Sequence, residues 1–142
     1  MKQAGYSGTP LLQKLGVREF SRMAVIKPPP GFVSSLPTLP LGAKVSQRGN
    51  GEADVIVWFI KSSNELESIG DAIGRMPPGA GMLWVAWPKK ASGVKTDLTE
   101  DVIRGAALRA GLVDTKVCAI DEIWSGLRLN RRRSATADRG PR

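Results

Sequence analysis

Apolar residues along the chain fall into two rhythms. DVIVWFI, Asp54 to Ile60, and GMLWVAW, Gly81 to Trp87, are apolar runs without alternation. That is the pattern of strands buried on both faces, as in a parallel sheet covered by helices. Between them Leu66, Ile69, Ile73 and Met76 recur at helical spacing, which predicts a helix packing one face on the sheet. Ser62 or Ser63 stands at its start, and Ser62 and Glu65 have capping-box spacing. After the polar loop KKASGVK, the stretch TDLTEDVIRGAALRAG predicts a second helix, capped by Thr96 or Asp97 and stopped by Gly111. Asp97 and Glu100 again have capping-box spacing, and Leu98, Val102, Ala106 and Ala110 make the apolar stripe. LVDTKVCAI and IWSGLRL, joined tightly around Asp121-Glu122, read as an antiparallel hairpin.

The first third of the chain is less regular. Thr9-Pro10-Leu11-Leu12-Gln13-Lys14-Leu15-Gly16 predicts a short helix with Thr9 as N-cap, Pro10 at the first helical position and Gly16 as stop. Met23 to Ile26 is a short strand ended by KPPPG, because proline fixes φ and cannot donate to a ladder. A Pro-, Gly- and Leu-rich loop runs on to Gly42, AKVSQ is a weakly signalled strand, and GNG at Gly49 to Gly51 is a turn. No internal repeat is present. Strand-helix alternation of this kind predicts an α/β three-layer sandwich with a mostly parallel sheet and an antiparallel C-terminal edge hairpin.

Composition narrows the chemistry. The 142 residues fit one domain, expected over residues 1–129, with 42% hydrophobic and 24% charged residues. The start MKQAGYSGTP has no signal-peptide core, and no apolar run approaches the ~18 residues that span a bilayer. A cytoplasmic location without membrane insertion is the expectation. The single cysteine, Cys118, excludes an internal disulfide and reads as a buried, inert thiol. With no histidine, Ser-His-Asp and Cys-His nucleophile systems, histidine general bases and His-ligated zinc or haem are all excluded. The net charge is +8, and half of it lies in NRRRSATADRGPR, residues 130–142, where five arginines face one aspartate. This segment is expected to be a disordered basic tail, with a nucleic acid or another anionic surface as a conceivable partner.

The sequence resembles two groups of proteins. From Asp54 onward, ADVIVWFI, PPGAGMLWVAW, RAGLVDTKVCAI and IWSGLRL stand in the order of the second half of class I methyltransferases. A closer resemblance, over roughly Tyr6 to Leu129, is to a family of small bacterial proteins built on one domain of unknown function, through SGTPLLQKLGV, LWVAWPKKASGVKTDLTEDVIR and GLVDTKVCAIDEIWSGLRL. The first resemblance implies a truncated Rossmann/methyltransferase-like fold. It also implies a cofactor site, which needs a glycine-bearing loop after strand one and an acid after strand two. Here Lys27-Pro28-Pro29-Pro30-Gly31 and Ser46-Gln47-Arg48 occupy those places, so no cofactor is expected.

One constellation remains. Ligands of parallel sheets bind outside the carboxyl ends of the strands, and Lys27, Lys61, Lys89 and Lys90 all follow predicted strands. The predicted helices beginning near Ser62 and Thr96 would aim amino ends, with orphan N–H groups, at the same edge. The candidate is therefore an anion crevice of Lys27, Lys61, Lys89, Lys90, Ser92, Gly93, Lys95 and Thr96. Against it stands the plain reading that lysines keep a sheet rim soluble. Trp58 and Trp84 are expected in the core, Trp87 and Trp124 either in the core or capping a pocket, and Asp121 and Glu122 in a solvated turn. The leading expectation is a non-enzymatic binding or regulatory module. The alternatives are an S-adenosylmethionine-dependent or other nucleotide-using transferase and a nucleic-acid accessory protein acting through the tail.

Overall fold

The computed structural model describes residues 10–47 and 51–131. Thr9, Arg48, Gly49, Asn50 and the tail beyond Arg131 lie outside the described residues. A single six-stranded sheet runs through the molecule in the order β2-β1-β3-β4-β6-β5. Its strands are β1 Arg22–Ile26, β2 Lys44–Ser46, β3 Val55–Phe59, β4 Met82–Pro88, β5 Leu112–Ala119 and β6 Trp124–Arg131. The first four pair in parallel; β6 is antiparallel to both β4 and β5. The antiparallel strand is thus interior, and the edge strand β5 points the same way as β1 to β4. Asn130 and Arg131, which the sequence grouped with the tail, are the last two residues of β6.

Burial follows the apolar runs. Every residue of β3 is buried, and so is all of β4 after Met82. The sheet therefore has an apolar layer on each face. On one, Ile56, Trp58, Leu83 and Val85 meet Leu66, Ile69, Ile103 and Ala107; on the other, Val57, Phe59 and Trp84 meet Leu12, Leu15 and Phe32. Connections that cross the sheet in opposite directions lie on opposite faces when each is right-handed. Accordingly the β3-to-β4 and β4-to-β5 connections cover the first face, and the β1-to-β2 connection the second.

The helices are shorter than their patterns predicted. Helix α1 spans Leu11–Leu15, preceded by Pro10 and followed by Gly16 in the left-handed region. The predicted helix after β3 is a 3₁₀ segment, Ser63–Ser68, that continues as α2, Ile69–Ile73. Helix α3 covers Glu100–Arg109, and Thr99, not Thr96 or Asp97, is its N-cap: the Thr99 side chain accepts from the Val102 amide. Its buried face is Ile103, Ala106 and Ala107. Val102, placed on the stripe by the sequence, is exposed instead. No helix among the described residues is long and apolar enough to cross a membrane.

The Pro-rich connection between β1 and β2 takes the place of a helix. Its one regular piece is a 3₁₀ turn, Val33–Ser35, because Pro28, Pro29, Pro30, Pro37 and Pro40 have no amide hydrogen to build a ladder. It still covers the sheet. Phe32 is buried edge-on against Phe59, with ring centroids 4.8 Å apart, and Leu36 and Leu39 pack beside it. Gly126 in β6 answers a steric need on the same face. A Cβ there would lie 3.1 Å from the Trp84 ring and 3.0 Å from Ile120.

Candidate functional site

The parallel strands β1, β3 and β4 end on one edge of the sheet, and Lys27, Lys61 and Lys89 follow them. The sheet's topological switch point lies between β1 and β3, where one connection turns toward β2 and the other toward β4. Such a point opens a crevice for ligands. Lys27 sits at its lip with a left-handed backbone, φ 54°, a conformation that a non-glycine residue adopts only at a cost of about 1–2 kcal/mol. Its ammonium lies 3.7 Å from the Glu65 carboxylate.

Glu65 is the hub of the edge. Its Oε2 accepts from the backbone N–H of Lys61 at 3.0 Å and of Ser62 at 3.1 Å, the carboxylate half of the capping box that the spacing predicted. Partial burial works against its charge. Those two amides, the Ser62 hydroxyl and Lys27 outweigh that effect and hold the carboxyl below its ordinary range. Asp97 completes the arrangement from the far side of the sequence. Its carboxylate accepts from the Ser63 hydroxyl at 2.6 Å and the Ser63 amide at 2.8 Å, and these bonds lower its pKa as well. The amino end of the 3₁₀ segment is therefore occupied by the protein's own carboxylates. The Ser63 amide, the first of the expected orphan N–H groups there, is thus not available to a ligand.

The loop after β4 is built from its own side chains. Lys90–Ser92 form a 3₁₀ turn, closed by Gly93 at φ 82°. The Ser92 hydroxyl donates to the Lys89 carbonyl at 2.7 Å and accepts from the Val94 amide. The Thr96 hydroxyl donates to the Lys61 carbonyl at 2.6 Å, tying this loop to the end of β3. Lys89 N–H donates to the Ile123 carbonyl at 2.7 Å, tying it also to the β5–β6 turn. Ser92, Gly93 and Thr96 thus shape the loop, whereas the ammonium groups of Lys61, Lys89, Lys90 and Lys95 make no ion pair among the described residues.

Two cavities flank the Lys27–Glu65 pair. The larger, about 790 Å³, reaches from Ile26 and Gln47 across Trp58 to Asp71 and Arg75. The smaller, about 370 Å³ and open to solvent, is lined by Pro28 to Pro30, Phe59, Lys61, Val94, Ile123 and Trp124. Trp87 and Trp124 are both buried, and Trp124 stands edge-on to Phe59 with centroids 5.0 Å apart. Sequence reading did not join Phe59, Val94 and Ile123 into a wall, since only the folded sheet brings these distant positions together. Asp121 is a turn residue, its Oδ1 accepting from the Ile123 and Trp124 amides at 2.8 Å each. Cys118 is half-buried, and that burial pushes its thiol pKa up. Among the described residues no group of three or more acidic or cysteine side chains could hold a metal ion.

Solved structures show the same fold. A SAM-dependent methyltransferase from Aquifex aeolicus superposes with a TM-score of 0.58 at 10% identity, over 84% of this chain and 86% of that one. Magnesium protoporphyrin IX methyltransferase from Synechocystis PCC 6803, with bound SAH, gives 0.52 at 10% identity, over 86% of this chain and 78% of its own. A variant of LepI, in complex with SAH and a substrate analogue, gives 0.54 at 10% identity; 93% of this chain is covered, but only 50% of LepI. At such identity the likeness establishes a methyltransferase-like α/β fold and nothing further. No curated protein matches the sequence. A family model does match, over residues 45–133, which take in all of the sheet from β3 onward and more than half of the chain. The chain belongs to the family described as protein of unknown function (DUF3052).

Proposed function

We propose that this protein is a non-enzymatic binding or regulatory module that takes an anionic ligand at the carboxyl edge of its sheet. The observation that carries the reading is the surplus of positive charge there. Lys61, Lys89, Lys90 and Lys95 follow β3 and β4 on this edge with no carboxylate partner among the described residues, and Lys61 lines the smaller cavity, while Glu65 is already engaged by Lys27 and two amides. Clustered cations at a concave edge raise the local concentration of anions. Lys61, Lys89, Lys90 and Lys95 are the contacts in this reading, Lys27 positions Glu65, and Ser92, Gly93 and Thr96 set the loop.

Isothermal titration with inorganic phosphate and adenosine monophosphate at low ionic strength tests it. Binding by the parent, lost in a Lys61→Ala, Lys89→Ala, Lys90→Ala variant of unchanged melting temperature, is the expected result. Affinity for both probes unchanged by the triple substitution, or no binding by the parent, would sink the reading.

A second reading, an S-adenosylmethionine-dependent transferase, draws on the fold shared with the methyltransferases and on the larger cavity at the switch point. The residues in place do not fit that group. Prolines replace the glycines that would let the backbone approach a ligand, and the end of β2 offers Ser46 and Gln47 where a ribose needs a carboxylate. The third reading, nucleic-acid binding through the tail, concerns residues outside those described.

A further inference from the structure

We infer that the cavity between the Pro28–Pro30 wall and Trp124 takes a small organic anion with a flat apolar body, such as an aryl phosphate or aryl carboxylate, rather than a polyphosphate chain. The inference rests on the anion-site reading above and adds the body of the ligand to it. At about 370 Å³ the cavity falls within the usual range of small-molecule sites, roughly 300–1,000 Å³. Its lining is largely apolar: Pro28 to Pro30, Phe59, Ile60, Val94, Ile123 and Trp124. Lys27, Lys61 and Glu65 are the charged groups along its lining. Of these Lys27 and Glu65 satisfy each other at 3.7 Å, which leaves the Lys61 ammonium as the unpaired charge.

Two further features favour a ring over a diphosphate. Pro28, Pro29 and Pro30 present no N–H groups, so this loop cannot cradle phosphate oxygens with its backbone as a glycine-rich loop does. Ile123, at the mouth, leaves 43% of its surface in water, apolar area that a bound ring would cover. The walls are also held in place before any ligand arrives. Lys89 N–H bonds the Ile123 carbonyl, Asp121 fixes the turn that carries Ile123 and Trp124, and Phe59 packs edge-on against both Phe32 and Trp124. A preformed wall spares the ordering cost of binding.

The test compares phenyl phosphate with inorganic phosphate by isothermal titration, on the parent, on Lys61→Ala, and on an Ile123→Ser, Val94→Ser variant whose changes lie at the cavity mouth. Burying a ring is worth enough that phenyl phosphate should bind about tenfold tighter or more. The mouth variant should lose most of that preference yet keep its inorganic phosphate affinity, and Lys61→Ala should weaken both probes. Equal affinity for the two probes, both still weakened by Lys61→Ala, overturns the apolar slot and leaves the anion site standing. A preference for phenyl phosphate that survives in the mouth variant places the ring elsewhere and also overturns it. If neither probe binds the parent, both readings fall.

Discussion

Trp84 is fully buried in β4, and its indole N–H donates to the Leu15 carbonyl at 2.9 Å. That bond joins the last turn of α1 to the centre of the sheet, across 69 residues of sequence. Trp84→Phe keeps most of the apolar area but strands a buried carbonyl, a loss of about 1–3 kcal/mol. Urea unfolding should show that drop, together with faster amide exchange at Gly16 and Val17; stability within about 0.5 kcal/mol of the parent would mean the bond contributes nothing net. The burial of Trp58 and Trp84 was legible in the sequence, because both lie inside uninterrupted apolar runs. The partner of the Trp84 indole was not, since no local pattern reports a contact with a carbonyl so far away. The same limit hid the Lys27–Glu65 pair, whose members were each noticed separately, one as a strand end and the other as part of a capping box.

At the scale of elements, the start of α3 shows why a capping signal can mislead. Thr96, Asp97 and Thr99 all precede an apolar stretch, and the sequence favoured the earlier pair because Asp97 and Glu100 have capping-box spacing. In the fold Asp97 is drawn away to the Ser63 amide and hydroxyl, 34 residues back, and Thr99 caps the helix. Asp97 thus latches the α3 approach to the segment after β3. Its pKa is lowered by the Ser63 hydrogen bonds, and that of Glu65 is lowered against its own partial burial. A depressed carboxyl contributes stability that is present above its unfolded pKa and lost as pH falls through the folded one. The melting temperature of the parent should therefore hold above the ordinary carboxylate range of about pH 4 and fall progressively below it. Asp97→Asn should melt lower than the parent near neutral pH and converge with it in acid, as followed by circular dichroism from about pH 7 to about pH 2. A gap that stays constant across that range would show that the charge of Asp97 is irrelevant to the latch.

For the whole molecule, the order β2-β1-β3-β4-β6-β5 keeps the switch point between β1 and β3 while the β1-to-β2 connection has become a proline-rich wall. The parallel core was legible because strands buried on both faces must be continuously apolar. The interior place of β6 was not, because the hairpin signal fixes which strands pair with each other and leaves open which of the two also pairs with β4. The strand order is shared with S-adenosylmethionine-dependent methyltransferases, yet a ligand of that kind is held by particular backbone and carboxylate contacts, not by a strand order. With Pro28 to Pro30 after β1 and Gln47 after β2, those contacts are missing, and the unpaired lysines repel a sulfonium. Isothermal titration of the full chain with S-adenosylmethionine and S-adenosylhomocysteine should therefore yield no binding heat up to millimolar ligand. Micromolar one-to-one binding would reverse the conclusion, making the proline loop an unusual cofactor wall and the larger cavity its seat. That outcome would be confirmed by loss of binding in Asp71→Ala, since Asp71 lines that cavity and is exposed enough to be changed without disturbing the core.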